Sequence, residues 1–261
     1  MQRLVRAPDG VEIACEVGGR GPALVAVHGA GSGSFGFALI RPLLEERFTL
    51  WTVDRRGRGA SGDADAYALE LEVDDLEAVM AAAGERAFLF GHSYGGLVAA
   101  LTAARLPALP GLVLYEPPMG GVLAKAETID RWEALIRAGE RDLVVREFLA
   151  DVGGYAPEEI DAMRATPAWT LRLAIVHTVP RELRAELGRR LPADELSWMA
   201  APTLMLVGTE SPRWATRSTG AYADVIPNVE VRSLEGEGHG ATVGAPELVA
   251  AQISGFFSGA A

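Results

Sequence analysis

The chain has 261 residues, 49% of them hydrophobic and 23% charged, with a formal net charge of -11. That balance suits a soluble globular protein with a sizeable core, built as one domain or as one domain carrying an insertion. The acidic excess gives no electrostatic footprint for a nucleic acid or for an anionic membrane, and its plain meaning is solubility.

The first residues enter a strand pattern without the apolar core of a signal peptide. No segment approaches the ~20 apolar residues of a membrane span, so a cytoplasmic location is expected. Leu4-Val5-Arg6 and Val11-Glu12-Ile13-Ala14-Cys15 flank Pro8-Asp9-Gly10, which predicts a hairpin with a tight turn. Cys15, the one cysteine, excludes an intrachain disulfide and a cysteine-built metal cage, and its place in an apolar run predicts inert packing. Short apolar runs then recur at 23–27, 48–53, 87–90, 111–114, 203–207 and 229–232. Strands buried on both faces need no polar alternation, so these runs predict a parallel sheet covered by helices. The stretches 71–83, 94–105, 216–225 and 246–257 repeat apolar residues at spacings of three and four, as helices do. Strand alternating with helix is the pattern of a doubly wound α/β sheet, in which function collects at the carboxyl ends of the strands.

From residue 117 to 199 no buried strand is evident. Amphipathic helices are predicted at 128–138, 142–150 and 157–165, with Pro167, Pro180 and Pro192 punctuating later ones. A structureless connection of that length is rare, so 117–199 is expected to form a helical cap (a lid) on a core made of 1–116 and 200–261.

Phe88-Leu89-Phe90-Gly91-His92-Ser93-Tyr94-Gly95-Gly96 reads as a strand, a Gly-x-Ser-x-Gly turn and a helix. A strained turn at that point exposes the serine hydroxyl, and glycine two places to either side lets strand and helix pack closely. Ser93 is therefore the candidate nucleophile. It needs a base, and four histidines are available. His28 and His92 sit where they would order backbone loops, and His177 lies in the expected lid. His239, in the glycine-flanked loop after the last strand, is the candidate base, on a loop flexible enough to swing its imidazole onto Ser93. The oxyanion requires two backbone N–H donors. Tyr94, at the start of the helix after Ser93, is expected to give one, and Ala30, in His28-Gly29-Ala30-Gly31, the other, with Gly31 as the alternative to Ala30.

His28-Gly29, Asp54-Arg55-Arg56-Gly57-Arg58-Gly59-Ala60-Ser61, Gly91-His92-Ser93-Tyr94-Gly95 and Gly238-His239 together resemble the α/β-hydrolase fold superfamily over nearly the whole chain. The resemblance implies an eight-stranded, mostly parallel sheet with a helical cap and the chain order serine, acid, histidine. It also implies that 54–61 is chiefly a structural turn. Family members usually carry the acid three residues after the glycine that ends the strand at 203–207, where this chain has Ser211, a residue with no charge to offer an imidazolium. Two acids stand nearby. Glu210 is one position early. Glu116 ends the preceding strand, in Tyr115-Glu116-Pro117, and resembles the arrangement in branches such as the haloalkane dehalogenases; it is the preferred acid, with Glu210 the alternative.

The expected activity is hydrolysis of a carboxylic ester or lactone through an acyl-enzyme, with no metal or organic cofactor implied. Carbon–carbon bond hydrolysis and cofactor-free perhydrolysis use the same parts. Haloalkane dehalogenase and epoxide hydrolase chemistry are disfavoured, since both are expected to need Asp where Ser93 stands. A different class, a binding protein or non-hydrolytic cyclase of this fold, is suggested only by the displaced acid. Met119, Trp132, Trp169, Trp198, Phe35 and Phe37 are each candidates for pocket wall or for core packing, and an exposed lid face leaves a homodimer open.

Overall fold

The Asp9-Gly10 turn joins β1 (Gln2–Arg6) to β2 (Glu12–Gly19) as an antiparallel pair in the computed structural model, which describes residues 1–119 and 123–258. Gly10 makes the turn possible by taking φ of 93°. Six further strands follow: β3 (Ala23–Val27), β4 (Thr49–Val53), β5 (Phe88–His92), β6 (Leu112–Tyr115), β7 (Thr203–Gly208) and β8 (Val229–Leu234). They form one open sheet in the order β1-β2-β4-β3-β5-β6-β7-β8, antiparallel at the β1-β2 and β2-β4 pairs and parallel from β4 onward. The expected doubly wound, mostly parallel eight-stranded sheet is what the chain forms.

The helices, in chain order, are α1 (Arg41–Glu45), α2 (Leu69–Ala83), α3 (Tyr94–Arg105), α4 (Ala126–Arg137), α5 (Arg141–Asp151), α6 (Pro157–Arg164), α7 (Pro167–Ile175), α8 (Thr178–Glu186), α9 (Ala193–Leu196), α10 (Arg213–Ala223), α11 (Ala241–Gly244) and α12 (Pro246–Ser258). On one face of the sheet α2 and α3 bury Val73, Leu76, Val98 and Ala99 against Val25, Leu89 and Leu114. On the other, α1 and α12 bury Leu44, Val249, Ile253 and Phe257 against Leu24, Phe88 and Val113. Sheet side chains are thus covered from both sides, which is why the central strands read as unbroken apolar runs. The run at 229–232 differs: β8 is an edge strand in which Glu230 and Arg232 are ion-paired to each other and Val231 is exposed, so of its six residues only Leu234 is buried. Cys15 is fully buried, and burial beside Asp54 pushes its thiol up to about 12.

Helices α4 to α9 occupy the interval between β6 and β7. Ile129, Trp132, Val144, Val145, Phe148 and Leu183 join there in a cluster separate from both faces of the sheet. The last part of the interval behaves differently, since Leu196 and Met199 pack into the main core beneath α3. Residues 120–122 of the expected cap and 259–261 of the expected core lie outside the described residues. Among the described residues no helix is long and apolar enough to cross a membrane.

Candidate active site

The chain runs from β3 outward to β4, then crosses back to place β5 on the other side of β3. That reversal opens a crevice beyond the carboxyl ends of β3 and β5, where doubly wound sheets bind ligands. The His28–Gly29–Ala30 loop leaves β3 at this point and Ser93 leaves β5.

Ser93 is held at φ 55° and ψ -129°, outside the regions that L residues favour, at the N-cap of α3. The sterics around it explain the flanking glycines. A Cβ on Gly95 would stand 2.4 Å from the carbonyl oxygens of Val27 and His28, and one on Gly91 would stand 2.6 Å from Gly95 O. Gly29 faces Ser93 so closely that a Cβ would lie 2.8 Å from Ser93 Cβ. Any side chain there would push the β3 loop away from the serine.

Glu116 follows β6 and is the other described non-glycine residue with positive φ, at 48°. Fully buried, it accepts from Gly208 N (2.7 Å) and Ser211 Oγ (2.5 Å) through Oε1, and from His239 Nδ1 (2.5 Å) through Oε2. The acid bonded to the imidazole is thus Glu116. Glu210 is exposed, joins the β8 loop through its backbone alone among the described residues, and borders an outer cavity. Ser211, at the position where the family's Asp is expected, donates its hydroxyl to the Glu116 carboxylate. With Nδ1–H donated to Glu116, the imidazole leaves Nε2 as an acceptor.

The His239 loop, expected to be mobile, is tied on several sides. His92 Nε2 donates to His239 O (3.0 Å), Tyr115 Oη donates to Gly238 O, and Ala241 N donates to Tyr115 Oη (3.4 Å). His28 Nδ1 donates to Gly29 O (2.9 Å), and its Nε2 accepts from Arg55 N (3.3 Å). Burial lowers the pKa of both His28 and His92 well below the ordinary histidine value, so both stay neutral and brace backbone. His177 is exposed on the inserted helices and, among the described residues, bonds Ala174 O alone.

Ser93, His239, Ala30 and His28 line one cavity of about 60 Å³, with Phe37, Phe148, Tyr155 and Arg172. The backbone N–H groups of Ala30 and Tyr94 have no acceptor among the described residues. Gly31, the alternative donor, takes φ 59°, gives its carbonyl to Arg172 (2.8 Å) and is not part of the cavity wall. An outer cavity of about 630 Å³ adjoins, sharing Tyr155, Arg172, His239 and Gly240 and adding Phe35, Glu159 and Glu210. Of the other apolar candidates, Trp132 and Trp169 are buried among the inserted helices with their indole N–H groups on Glu147 and Asp142. Met119 packs against the main core, and Trp198 is 87% exposed, so neither borders these cavities.

The 54–61 segment is a turn folded on itself. Asp54 accepts from Ser34 N and Ala60 N, and Ser61 Oγ donates to Asp54 O. Its arginines do more than the sequence suggests. Buried Arg55 donates to both oxygens of Glu72 (2.8 and 2.7 Å), to Gly29 O (3.1 Å) and to Glu182 Oε2 (3.2 Å), while Arg58 pairs with the other oxygen of Glu182. Tyr67 Oη donates to Glu72 (2.6 Å) and meets Tyr94 Oη (3.0 Å). This ionic network pins α8 to the sheet and to the loop carrying Ala30. Burial and the neighbouring Arg55 cation lower the Arg58 pKa to about 9.

Residues 24–252 match the alpha/beta hydrolase family. This chain belongs to that family. The hydrolase superposes on an alpha/beta hydrolase from Sphaerobacter thermophilus DSM 20745 with a TM-score of 0.86 and 34% identity, covering 98% of this chain and 100% of that one. It is 28% identical over 253 residues to a pimeloyl-[acyl-carrier protein] methyl ester esterase of Stenotrophomonas maltophilia, covering 92% of this chain and 95% of the relative. It is also 27% identical over 229 residues to an N-formylmaleamate deformylase of Pseudomonas putida, covering 85% and 83%.

Proposed function

We propose that this hydrolase cleaves a small-molecule carboxylic ester or lactone through an acyl-enzyme on Ser93. The observation that carries the reading is the buried Glu116–His239 bond of 2.5 Å, which orients an imidazole that lines one cavity with Ser93 and Ala30. His239 Nε2 takes the proton of Ser93 Oγ as Oγ attacks the carbonyl carbon. The imidazolium that forms is stabilised by Glu116, and the carbonyl oxygen, now negative, is held by the N–H groups of Ala30 and Tyr94. Collapse of the tetrahedral intermediate breaks the carbon–oxygen bond to the leaving alcohol, which receives the proton from His239. Water, deprotonated by the same imidazole, then attacks the acyl carbon and releases the acid and free Ser93.

Tyr94 suits its role because the first N–H groups of a helix have no intrahelical acceptor and add the positive end of the helix dipole. Esterase relatives support the choice of ester, and Ser93, where dehalogenase chemistry would need a carboxylate, supports the acyl route. The test is hydrolysis of 4-nitrophenyl esters of increasing acyl length by the wild type and Ser93→Ala. Turnover that disappears in the variant is expected; equal rates for the two proteins would overturn the reading.

A further inference from the structure

Most arginines on the inserted helices have an acid beside them. Arg131 pairs with Glu147, Arg164 with Asp142, Arg181 with Asp63, Arg184 with Asp130 and Glu133, and Arg189 with Glu70. Arg137, Arg141 and Arg190 show no such pair among the described residues but border neither cavity, whereas Arg172 on α7 lines both. Among the described residues no carboxylate lies within ion-pair distance of it. One of its five N–H groups is used, Nη1 donating to Gly31 O, and its guanidinium stands 5.7 Å from the Phe35 ring centroid.

Arg172 borders both the cavity at Ser93 and the larger one outside it. Among the described residues no carboxylate lines the inner cavity, and of the acids bordering the outer one Glu159 accepts from Ala156 N (2.8 Å) while none forms an ion pair with Arg172. Removal from water lowers the Arg172 pKa, opposed only by the Tyr155 hydroxyl, yet a guanidinium keeps its charge under all ordinary conditions. A cation half removed from water with no counter-charge is costly, and such a group in a ligand cavity is satisfied when the ligand brings the anion.

We propose that Arg172 binds a carboxylate carried by the substrate, so that the esters cleaved at Ser93 are small anionic ones, with the carboxylate a few bonds from the reacting carbonyl. The inference rests on the acyl-enzyme reading for the reaction but on Arg172 alone for the selectivity. The net charge of -11 repels anions at long range, so a preference for them must arise inside the cavity.

Hydrolysis of monomethyl and dimethyl succinate, followed by acid release in a pH-stat, gives a ratio of kcat/KM for the anionic over the neutral ester. The wild type is expected to favour the monoester by about tenfold or more, the scale of a charge-assisted hydrogen bond. Arg172→Gln should bring the ratio close to one, and Arg172→Lys should restore part of it. A wild type without preference, or an Arg172→Gln protein that loses rate on both esters with the ratio intact, overturns the proposal and leaves Arg172 as a brace for Gly31. Calorimetric titration of Ser93→Ala with monomethyl succinate reads binding without turnover. Binding that disappears when Arg172→Gln is added supports the carboxylate site even if neither ester is hydrolysed, an outcome that would defeat only the acyl-enzyme reading. No binding to Ser93→Ala, or binding indifferent to Arg172, defeats the site itself.

Discussion

Replacing Glu116 by Gln changes one atom and removes one charge, at a position where every contact is defined. The carboxylate accepts three hydrogen bonds, from Gly208 N, Ser211 Oγ and His239 Nδ1. An amide oxygen can keep the first two, which directs the amide N–H₂ at the imidazole. Nδ1 must then accept, the ring proton moves to Nε2, and that nitrogen can no longer take the proton of Ser93. The charge lost matters separately. An imidazolium and a carboxylate about 4 Å apart, at an effective dielectric of about 20, attract by about 4 kcal/mol. Absent from the transition state, that interaction corresponds to about 10³-fold in rate. With the wrong tautomer added, Glu116→Gln should lower kcat by about 10³- to 10⁴-fold. The assay is steady-state hydrolysis of 4-nitrophenyl acetate, with thermal melting to verify that the variant is folded. A Glu116→Gln rate within tenfold of wild type, beside a Glu210→Gln rate a hundredfold down, would move the acid to Glu210.

Ser211→Ala removes one of the three donors and should cost about 1 kcal/mol of transition-state stabilisation, a roughly fivefold fall in kcat with KM little altered; an unchanged kcat would mean that Gly208 N suffices to hold Glu116. Glu182→Gln leaves the buried Arg55 and Arg58 cations underpaired and should lower stability by about 3–5 kcal/mol, measured as a shift of the urea midpoint at constant slope; a midpoint equal to that of wild type would show that Glu72 alone neutralises the cluster. The folded-state pKa of His28 lies well below the 6.5 of the unfolded chain, so below pH 6.5 the unfolded state binds the extra proton. The stability His28 contributes is therefore complete above pH 6.5 and lost as pH falls beneath it, at up to about 1.4 kcal/mol per pH unit. His28→Asn should accordingly melt lower than wild type at pH 7 yet lose less between pH 7 and 5; parallel melting-point profiles would contradict this.

What could be read in the sequence is what depends on neighbours along the chain. The Ser93 turn was legible because strand, glycines and helix lie within nine consecutive residues, and the central strands because burial on both faces leaves unbroken apolar runs. The choice of acid was harder. It turns on the register that sets Tyr115 beside Leu206, which brings Glu116 to Gly208 N and Ser211, 92 and 95 residues later. Composition gives no sign of that register. Ser211 carries no charge and reads as a loss, whereas its hydroxyl bonds the Glu116 carboxylate proposed as the acid. The network of Arg55, Glu72 and Glu182 joins residues up to 127 positions apart, and in sequence each is one more charge on a polar segment. Arg172 was equally silent, since an unpaired cation differs from a paired one only by what stands next to it. The short α1 and α9 carry too few residues to show a helical period.

Acylation of Ser93 during turnover is the step on which the proposed reaction depends. Its most direct test is the intact mass of the protein, acid-quenched during steady-state hydrolysis of a 4-nitrophenyl ester, followed by peptide mapping. One acyl group per chain is predicted, on the peptide that contains Ser93, absent from Ser93→Ala and accumulating far more slowly in Glu116→Gln. Continuous ester turnover with unmodified Ser93, or an adduct that persists in Ser93→Ala, would contradict it.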